Sequence, residues 1–349
     1  MTGTYKLTQY SKGGGCGCKI APAVLQQILQ TGSPNSFPSL LVGNETSDDA
    51  AVYLFNNEQA IISTTDFFLP IVDDAGDFGK IAAANAISDV YAMGGKPLMA
   101  IAILGWPVDK IPAAVATEVL EGARAVCHAA GIPLAGGHTI DSSEPIFGLA
   151  VTGTAPVQQL KRNNTGQPGD ILFLTKPLGV GVLSTALKRG LLQEAHYIEF
   201  IRQVTSLNKV GEALSAISGV HAMTDVTGFG LLGHLIEMAQ GSRLSAKLDY
   251  AAIKKMEGFD GYLAQKVIPD ATFRNWNSYS QKVQFEKGVN VMEAFNLLPD
   301  PQTNGGLLVA VDPAESAKVI AVLKDYNLGD FVAPIGQLIE KEEKTVLVG

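Results

Sequence analysis

The stretch GKIAAANAISDVYAMGGKPLMAIAILGW, residues 79–106, carries the clearest structural signals in the sequence. Residues 79–93 have the apolar spacing of a helix, and the Gly-Gly-Lys-Pro run at 94–97 is typical of a helix end. The apolar run at 98–104 predicts a buried strand. Within the helix, Asp89 stands out because a carboxylate among apolar side chains needs a partner when it is buried. The stretch therefore predicts a helix followed by a buried strand, with one carboxylate that requires a specific environment.

Similar signals on both sides of this stretch predict two α+β domains. We expect further strands at residues 51–55, 59–65, 146–155, 171–175, 245–248 and 307–311, and further helices at 22–29, 113–130, 180–189, 198–217, 228–240 and 314–326. Because strands and helices mix without strict β–α–β alternation, the fold class is α+β. The 349 residues suffice for two domains, and the turn-rich stretch at 163–169 marks their junction. We expect a flexible glycine-rich segment at 1–45 and domains at 46–160 and 161–349.

Composition argues against several classes of protein. Asp and Glu total 34 against 26 Lys and Arg, a formal charge of −8, whereas a nucleic-acid backbone binder needs a basic surplus. The apolar run at 98–106 is about half the ~20 residues that a membrane span requires, and residues 1–10 lack the apolar core of a signal peptide. Three cysteines form no disulfide framework. We expect a soluble, cytoplasmic protein with reduced thiols and no nucleic-acid or membrane partner.

Acidic residues at predicted strand ends and helix starts are candidates for metal binding. They are Asp48, Asp49, Asp66, Asp89 and Asp225. Carboxylates from several such places can hold Mg²⁺, which prefers oxygen ligands and usually bridges to substrate phosphates. The alternative is that these side chains cap helices and form turns.

Two glycine-containing stretches could approach phosphates. Residues 136–139, Gly-Gly-His-Thr, follow an apolar strand at 132–135, and their small side chains let backbone N–H groups reach an anion. Residues 225–230, DVTGFG, lead into a helix, whose exposed amides can also meet an anion. Neither stretch has the G-x-x-x-x-G-K-[ST] pattern, so nucleotide binding of the P-loop kind is excluded.

The run Cys16-Gly17-Cys18-Lys19 is the sharpest chemical feature. A thiol beside a cation on a glycine-rich backbone is a candidate nucleophile. A zinc site would need two more ligands nearby, and the neighbouring sequence offers neither Cys nor His. A reactive thiol, a metal or redox site, and no chemical role remain the three alternatives for this run.

Taken together, seven motifs resemble those of the selenophosphate synthetase (selenide, water dikinase) family. They are CGCK at 16–19, NETSDDAAV at 44–52, STTDFF at 63–68, NAISD at 85–89 with MGGKP at 93–97, AGGH at 135–138, TDVTGFG at 224–230, and DPQT at 300–303 followed by Gly305-Gly306. The resemblance spans almost the whole chain in order. The CGCK run separates it from aminoimidazole ribonucleotide synthetase and thiamine-monophosphate kinase, which share the ATP-binding architecture.

The resemblance implies an enzyme that converts ATP, selenide and water into selenophosphate, orthophosphate and AMP. It implies two α+β domains of the aminoimidazole ribonucleotide synthetase type, and a homodimer whose N-terminal domains share a β-barrel, with ATP sites near the interface. A protein that delivers selenium is a possible further partner. The product, selenophosphate, would supply selenium for selenocysteine and selenouridine.

The same resemblance assigns roles to residues of this sequence. Cys16 and Lys19 match catalytic positions, and Lys19 also serves the nucleotide. Positions that contact the nucleotide are Thr46, Ser47, Asp48, Asp66, Asp89, Gly137, His138 and Thr139, and the Mg²⁺ ligands are Asp49, Asp89 and Asp225. Ser47 stands where relatives often carry arginine, and Asn304 replaces a common serine.

Two other classes of function stay open from the sequence. One is a different ATP-dependent enzyme of the same architecture, a ligase or small-molecule kinase, which would release ADP instead of AMP. The other is a non-enzymatic thiol carrier or metal-binding module that uses Cys16 and Cys18. The second class leaves the distributed aspartates unexplained.

Overall fold

The computed structural model describes residues 5–11, 13–20, 22–29, 37–43 and 48–349. Two β-sheets with attached helices make up the molecule, which confirms the α+β class. Helix α1 (Pro22–Leu29) comes first in the chain, and the first group contains β1 (Leu40–Val42), β2 (Ala51–Leu54), β3 (Gln59–Phe68), α2 (Ala75–Ala92), β4 (Lys96–Trp106), α3 (Ala113–Ala130), β5 (Leu134–Asp141) and β6 (Ile146–Pro156).

The second group begins after residue 170. Its strands are β7 (Ile171–Leu174), β8 (Val220–Asp225), β9 (Ser245–Leu248), β10 (Val283–Phe285), β11 (Leu307–Val311), β12 (Gly336–Ile339) and β13 (Val346–Val348). Its helices are α4 (Val180–Lys188), α5 (Glu194–Thr205), α6 (Val210–Ser215), α7 (Gly230–Gly241), α8 (Phe259–Ala264), α9 (Asp270–Tyr279), α10 (Val291–Leu297) and α11 (Ser316–Asp325).

The first sheet has the order β1-β2-β3-β6-β4-β5, antiparallel except for the parallel pair β4–β5. Side chains alternate between its faces. In β3 the buried residues Ala60, Ile62 and Phe68 share a face with Thr64 and Asp66. Helix α2 packs on this face, so Thr64 and Asp66 lie on the face that meets it.

The second sheet has the order β10-β13-β9-β12-β7-β11-β8. Strand β11 is buried at all five positions and pairs antiparallel with both β7 and β8. Such a continuous apolar strand is covered on both faces. Register places Leu307 opposite Asp225 at the end of β8, so Asp225 lies at the edge of this core.

Helix α2 joins the two groups. Residues 81–92 are all buried, because α2 contacts the first sheet and α3 on one side and α5, α6 and β8 on the other. Three of those buried residues, Asn85, Ser88 and Asp89, are polar. The helix therefore carries polar side chains into the junction between the two sheets.

Most of the predicted elements are present, and the differences have local causes. Helix α3 has the predicted bounds, and it ends at Gly131 in the left-handed conformation. The helix predicted at 198–217 is two helices, α5 and α6, because the chain leaves helical geometry at Ser206. The strand predicted at 132–135 begins at Leu134 and runs to Asp141, so residues 136–139 lie inside β5 instead of in a loop after it. Strand β1 extends the first sheet to before residue 46. None of the helices in the described part of the chain has both the length and the apolar character needed to cross a bilayer.

Backbone contact between α2 and α3 predicts an unusual response to substitution. A Cβ added at Gly79 would lie 1.8 Å from the carbonyl oxygen of Val119. We expect Gly79→Ala to lower the free energy of unfolding by about 3 kcal/mol, because the helices must separate. The matched control is Gly261→Ala in α8, where an added Cβ meets nothing within 4 Å; it should raise stability by about 0.5–1 kcal/mol through helix propensity. Urea unfolding measures both, and a stabilised Gly79→Ala variant would contradict the packing.

Candidate active site

The loop that carries Cys16 is fixed by contacts with both domains. Residues Gly15–Cys18 form one turn of 3-10 helix. Gly15 has a φ of +55° and its N–H donates to the carbonyl of Leu69 (2.9 Å). The N–H of Cys16 donates to Oγ1 of Thr303 (3.0 Å). Because Leu69 follows β3 and Thr303 precedes β11, the loop lies between the two sheets, and Cys16 is 1% exposed.

The amide side chain of Asn85 connects the thiol to the acidic residues. Its Oδ1 accepts from Sγ of Cys16 (3.3 Å) and from the N–H of Asn304 (2.7 Å). Its Nδ2 donates to Oδ2 of Asp66 (2.5 Å). One residue of α2 therefore holds the loop, the segment before β11 and a carboxylate of β3 in a single hydrogen-bond network.

Lys19 places a positive charge at the same point. Its Nζ lies 4.0 Å from Oδ1 of Asp66, and 38% of the side chain is exposed. The Asp66 carboxylate, together with Cys16, Asp89 and Asp225, raises the pKa of Lys19 above its usual range against the effect of burial. Lys19 is therefore protonated near neutral pH and can still reach a ligand.

Three further carboxylates lie around α2, each hydrogen-bonded to a hydroxyl group. Oγ1 of Thr64 donates to Asp89 (2.5 Å), Ser88 Oγ donates to Asp225 (2.6 Å), and Thr224 Oγ1 donates to Asp49 (2.7 Å). Oδ2 of Asp49 is buried and has no hydrogen-bond partner among the described residues. Hydroxyl donors orient a carboxylate but do not neutralise its charge.

Burial and mutual repulsion act on these carboxylates in the same direction. Burial raises the pKa of Asp49 and of Asp89, and the nearby acidic groups raise both further. Burial also raises the pKa of Asp225, while its bond from Ser88 opposes the shift. A bound cation would offset both causes, because a nearby positive charge favours the ionised form of a carboxyl group. The donor set, carboxylate oxygens with one unpartnered, is the kind that Mg²⁺ prefers.

The described residues contain no preassembled group of three acidic, histidine or cysteine side chains at metal-ligand spacing. Mg²⁺ commonly takes only one or two protein carboxylates and completes its shell with water and substrate phosphates. Coordination of Mg²⁺ by Asp49, Asp89 and Asp225 therefore stays a prediction.

Several predicted nucleotide contacts lie elsewhere in the chain. Gly137, His138 and Thr139 are exposed on β5, which is separated from β3 by two strands, or roughly 14 Å at ~4.8 Å per strand. Asp48, in contrast, lies next to Asp49, whose pKa its charge helps to raise, and it accepts from the N–H of Asn163 (2.7 Å). Thr46 and Ser47 lie outside the described residues. A single chain therefore does not bring the β5 residues to the acidic cluster.

Sequence analysis assigned no role to the polar residues that organise the site, although all of them except Asn208 lie in or beside the seven motifs. They are Thr64, Asn85, Ser88, Asn208, Thr224, Thr303 and Asn304. Asn85 and Asp89 are four residues apart and so share a helix face, a signal that could have identified Asn85. Asn304 adopts a φ of +49°, and its Nδ2 donates to the carbonyls of Val204 and Ser206. A serine at 304 would tolerate this φ less well and could not donate twice.

The two halves of the chain match models of one protein class. Residues 47–155 match the AIR synthase related protein N-terminal domain, and residues 167–349 match the corresponding C-terminal domain. The crystal structure of thiamine-monophosphate kinase from Stenotrophomonas maltophilia is similar, with a TM-score of 0.63 and 19% identity over 90% of this chain and 92% of that one. At that identity the likeness concerns the fold. The fold and site thus define an AIR synthase related protein of two domains.

Curated relatives give the family within this class. A protein named selenide, water dikinase from Pseudomonas aeruginosa is 53% identical over the full length of both chains. One of the same name from Pseudomonas putida is 54% identical, again over both full lengths. The chain belongs to the selenide, water dikinase family.

Oδ2 of Asp49, which lacks a hydrogen-bond partner among the described residues, yields a test of the acidic cluster. In Asp49→Asn the amide oxygen can still accept from Thr224, while the buried charge is removed. We expect the ligand-free protein to unfold at the same or a higher temperature, because burial no longer opposes a charge. We expect Mg²⁺-dependent binding of a non-hydrolysable ATP analogue, measured by calorimetry, to weaken at least about tenfold. Asp325→Asn, at an exposed position of α11, is the control. Unchanged affinity at limiting Mg²⁺ would return Asp49 to a structural role.

Proposed function

We propose that this chain synthesises selenophosphate from ATP, selenide and water, and releases AMP and orthophosphate. The full-length relatives named selenide, water dikinase support this activity. The observation that carries the proposal is the network around Asn85, which joins the thiol of Cys16 to the carboxylate of Asp66, 4.0 Å from the Lys19 ammonium. The loop that would bind the nucleophile and the carboxylates that would bind the nucleotide are thus both held by Asn85.

Each residue has a defined task in the first phosphoryl transfer. The Lys19 ammonium would stabilise charge that develops on the transferred phosphoryl group. Asp49, Asp89 and Asp225 would hold Mg²⁺, which when bound neutralises the triphosphate. Asp66 keeps Lys19 charged and aimed at the site. Cys16 would contact the incoming selenide.

The two steps of the reaction place opposite demands on the access of water to the site. The first transfer must favour selenide over water, and Cys16 is nearly fully buried in the closed loop. The second cleavage, which converts ADP to AMP, requires water. Opening of the loop between the steps would admit it. The loop is held by individual contacts, which include the hydrogen bonds of Gly15 and Cys16 and the ion pair of Lys19 with Asp66, and such contacts can break and re-form without unfolding either domain.

A homodimer would complete the nucleotide site. The face of the first sheet opposite α2 carries large exposed apolar residues, including Tyr53 (52% exposed), Phe67 (53%) and Ile101 (45%). Several large apolar residues exposed on one sheet face are typical of an interface. Pairing of two such faces in a shared β-barrel would place β5 of one copy beside the acidic cluster of the other. Gly137, His138 and Thr139 would then contact the nucleotide.

Replacement of the thiols tests the reaction. We expect Cys16→Ser to abolish the phosphorus–selenium product and AMP formation, because the thiol that lies in the Asn85 network is lost. Cys18→Ser is the matched control and should retain most activity. Phosphorus NMR with ATP, Mg²⁺ and anaerobic selenide follows both products. Accumulation of ADP as the final nucleotide in the wild-type protein would overturn the proposed activity in favour of a kinase or ligase.

Charge on the open sheet face tests the dimer. Ile101→Glu places a carboxylate in the proposed interface, and we expect the protein to sediment as a monomer and to bind ATP at least about tenfold more weakly. Ile198→Glu, at a 64% exposed position of α5, is the matched control and should leave the sedimentation coefficient unchanged. Equal sedimentation of both variants with wild type would contradict this interface.

A further inference from the structure

A cavity lies beside the Cys16 loop, outside the acidic cluster. Its volume is about 310 Å³, and it is bounded by the loop, by α4 and by α9. Thr303, which accepts from the Cys16 N–H, is part of its wall. Among the described residues that line it, none is Asp49, Asp66, Asp89 or Asp225. The cavity is therefore a separate approach to the loop.

The charge of this cavity is opposite to that of the acidic cluster and of the whole chain. Its lining includes Lys188, Arg189 and Arg274 against one carboxylate, that of Asp270. Arg189 donates to the carbonyl of Lys266 (3.0 Å), and Arg274 donates to the carbonyl of Gly17 (2.8 Å). In the described part of the chain neither arginine forms an ion pair. Two guanidinium charges at the cavity are thus held by neutral carbonyl groups.

Arg274 also connects the cavity to the thiol. A smaller pocket is lined by Cys16, Lys19 and Gly228, and it shares Gly17 and Arg274 with the larger cavity. Gly17 and Arg274 therefore line both the cavity and the pocket at Cys16. An added Cβ at Gly228 would lie 2.5 Å from the carbonyl oxygen of Cys16, so the loop leaves no room there for a larger residue.

Electrostatics decide which approach an anion can use. Selenide in neutral water is the monoanion HSe⁻, and from the nucleotide side it would meet four carboxylates and the triphosphate itself. In-line transfer also requires the nucleophile to arrive opposite the leaving ADP. Positive residues along a cleft raise the local concentration of an anion and its rate of entry.

We infer that the cavity between the Cys16 loop, α4 and α9 is the entry site for the hydroselenide anion. Arg189 and Arg274 attract HSe⁻, and the contact of Arg274 with Gly17 positions the loop while the anion passes to Cys16. The step is a binding step, in which no bond forms or breaks. The inference rests on the proposed synthesis of selenophosphate. Orthophosphate, the product, is an anion of related chemistry and is the competing occupant.

Steady-state kinetics test the role of the charge. Among the described residues Arg189 forms no hydrogen bond or ion pair with the loop, so Arg189→Gln removes charge from the cavity and leaves the described polar contacts of the loop in place. We expect the KM for selenide to rise about tenfold, with kcat and the KM for ATP within twofold of wild type. Arg124→Gln, on an exposed face of α3, is the matched control. An unchanged selenide KM in Arg189→Gln would overturn the inference.

Alkylation of Cys16 tests the same route without turnover, so that it remains decisive even if no selenophosphate is made. With Mg²⁺ and a non-hydrolysable ATP analogue present, tandem mass spectrometry measures the rate at Cys16 for anionic iodoacetate and for neutral iodoacetamide. We expect the ratio of the two rates to fall at least about fivefold in Arg274→Gln and to recover in Arg274→Lys, which keeps the charge. An equal ratio in all variants would overturn the inference.

Orthophosphate distinguishes the two occupants. If the cavity admits hydroselenide, Arg189→Gln raises the selenide KM whether or not orthophosphate is present. Orthophosphate could instead slow the alkylation of Cys16 by iodoacetate in the wild type while Arg189→Gln leaves the selenide KM unchanged. In that case the cavity serves product release and the inference is wrong.

Discussion

The burial of negatively charged carboxylates is the constraint on which the rest of this structure depends. Asp49, Asp89 and Asp225 lie in or beside the junction of the two sheets, and their polar partners are hydroxyl groups. Isolated carboxylates in such surroundings cost several kcal/mol each unless they are protonated or matched by cations. The apolar contacts of α2 with both sheets must offset this cost. Close backbone packing at Gly79, which leaves no gap between α2 and α3, contributes to that support.

The thiol loop depends on the same helix. Asn85 is rigid because it uses both ends of its amide, and any shift of α2 would move Cys16, Asn304 and Asp66 together. Lys176 fixes the segment before β11, because its Nζ donates to the carbonyls of Ser206 and Asn304. Burial lowers the pKa of Lys176 to about 7. The loop is thus hydrogen-bonded to structural elements of both domains. These bonds hold a short glycine-rich segment in one conformation.

The sequence predicted those parts of the fold in which local signals and burial agree. Helix α3 and strands β4 and β6 were found because apolar periodicity and end signals coincide. Strands β10 and β13 were missed because three residues carry too little pattern, and they exist through pairing with each other and with β9. The acidic residues of the site were found by motif, whereas Thr303 and Thr224 act through contacts across 175 or more positions of sequence. No local pattern encodes such contacts.

The excess of negative charge in the acidic cluster also determines which form of the nucleotide can bind. Uncomplexed ATP would bring four negative charges towards four carboxylates, those of Asp49, Asp66, Asp89 and Asp225, against the single ammonium group of Lys19. Within the proposed activity, the cluster therefore acts as a filter that accepts the nucleotide only as its metal complex. Free ATP in excess would then neither bind nor inhibit. The rate of selenium activation would depend on the concentration of magnesium as much as on that of ATP.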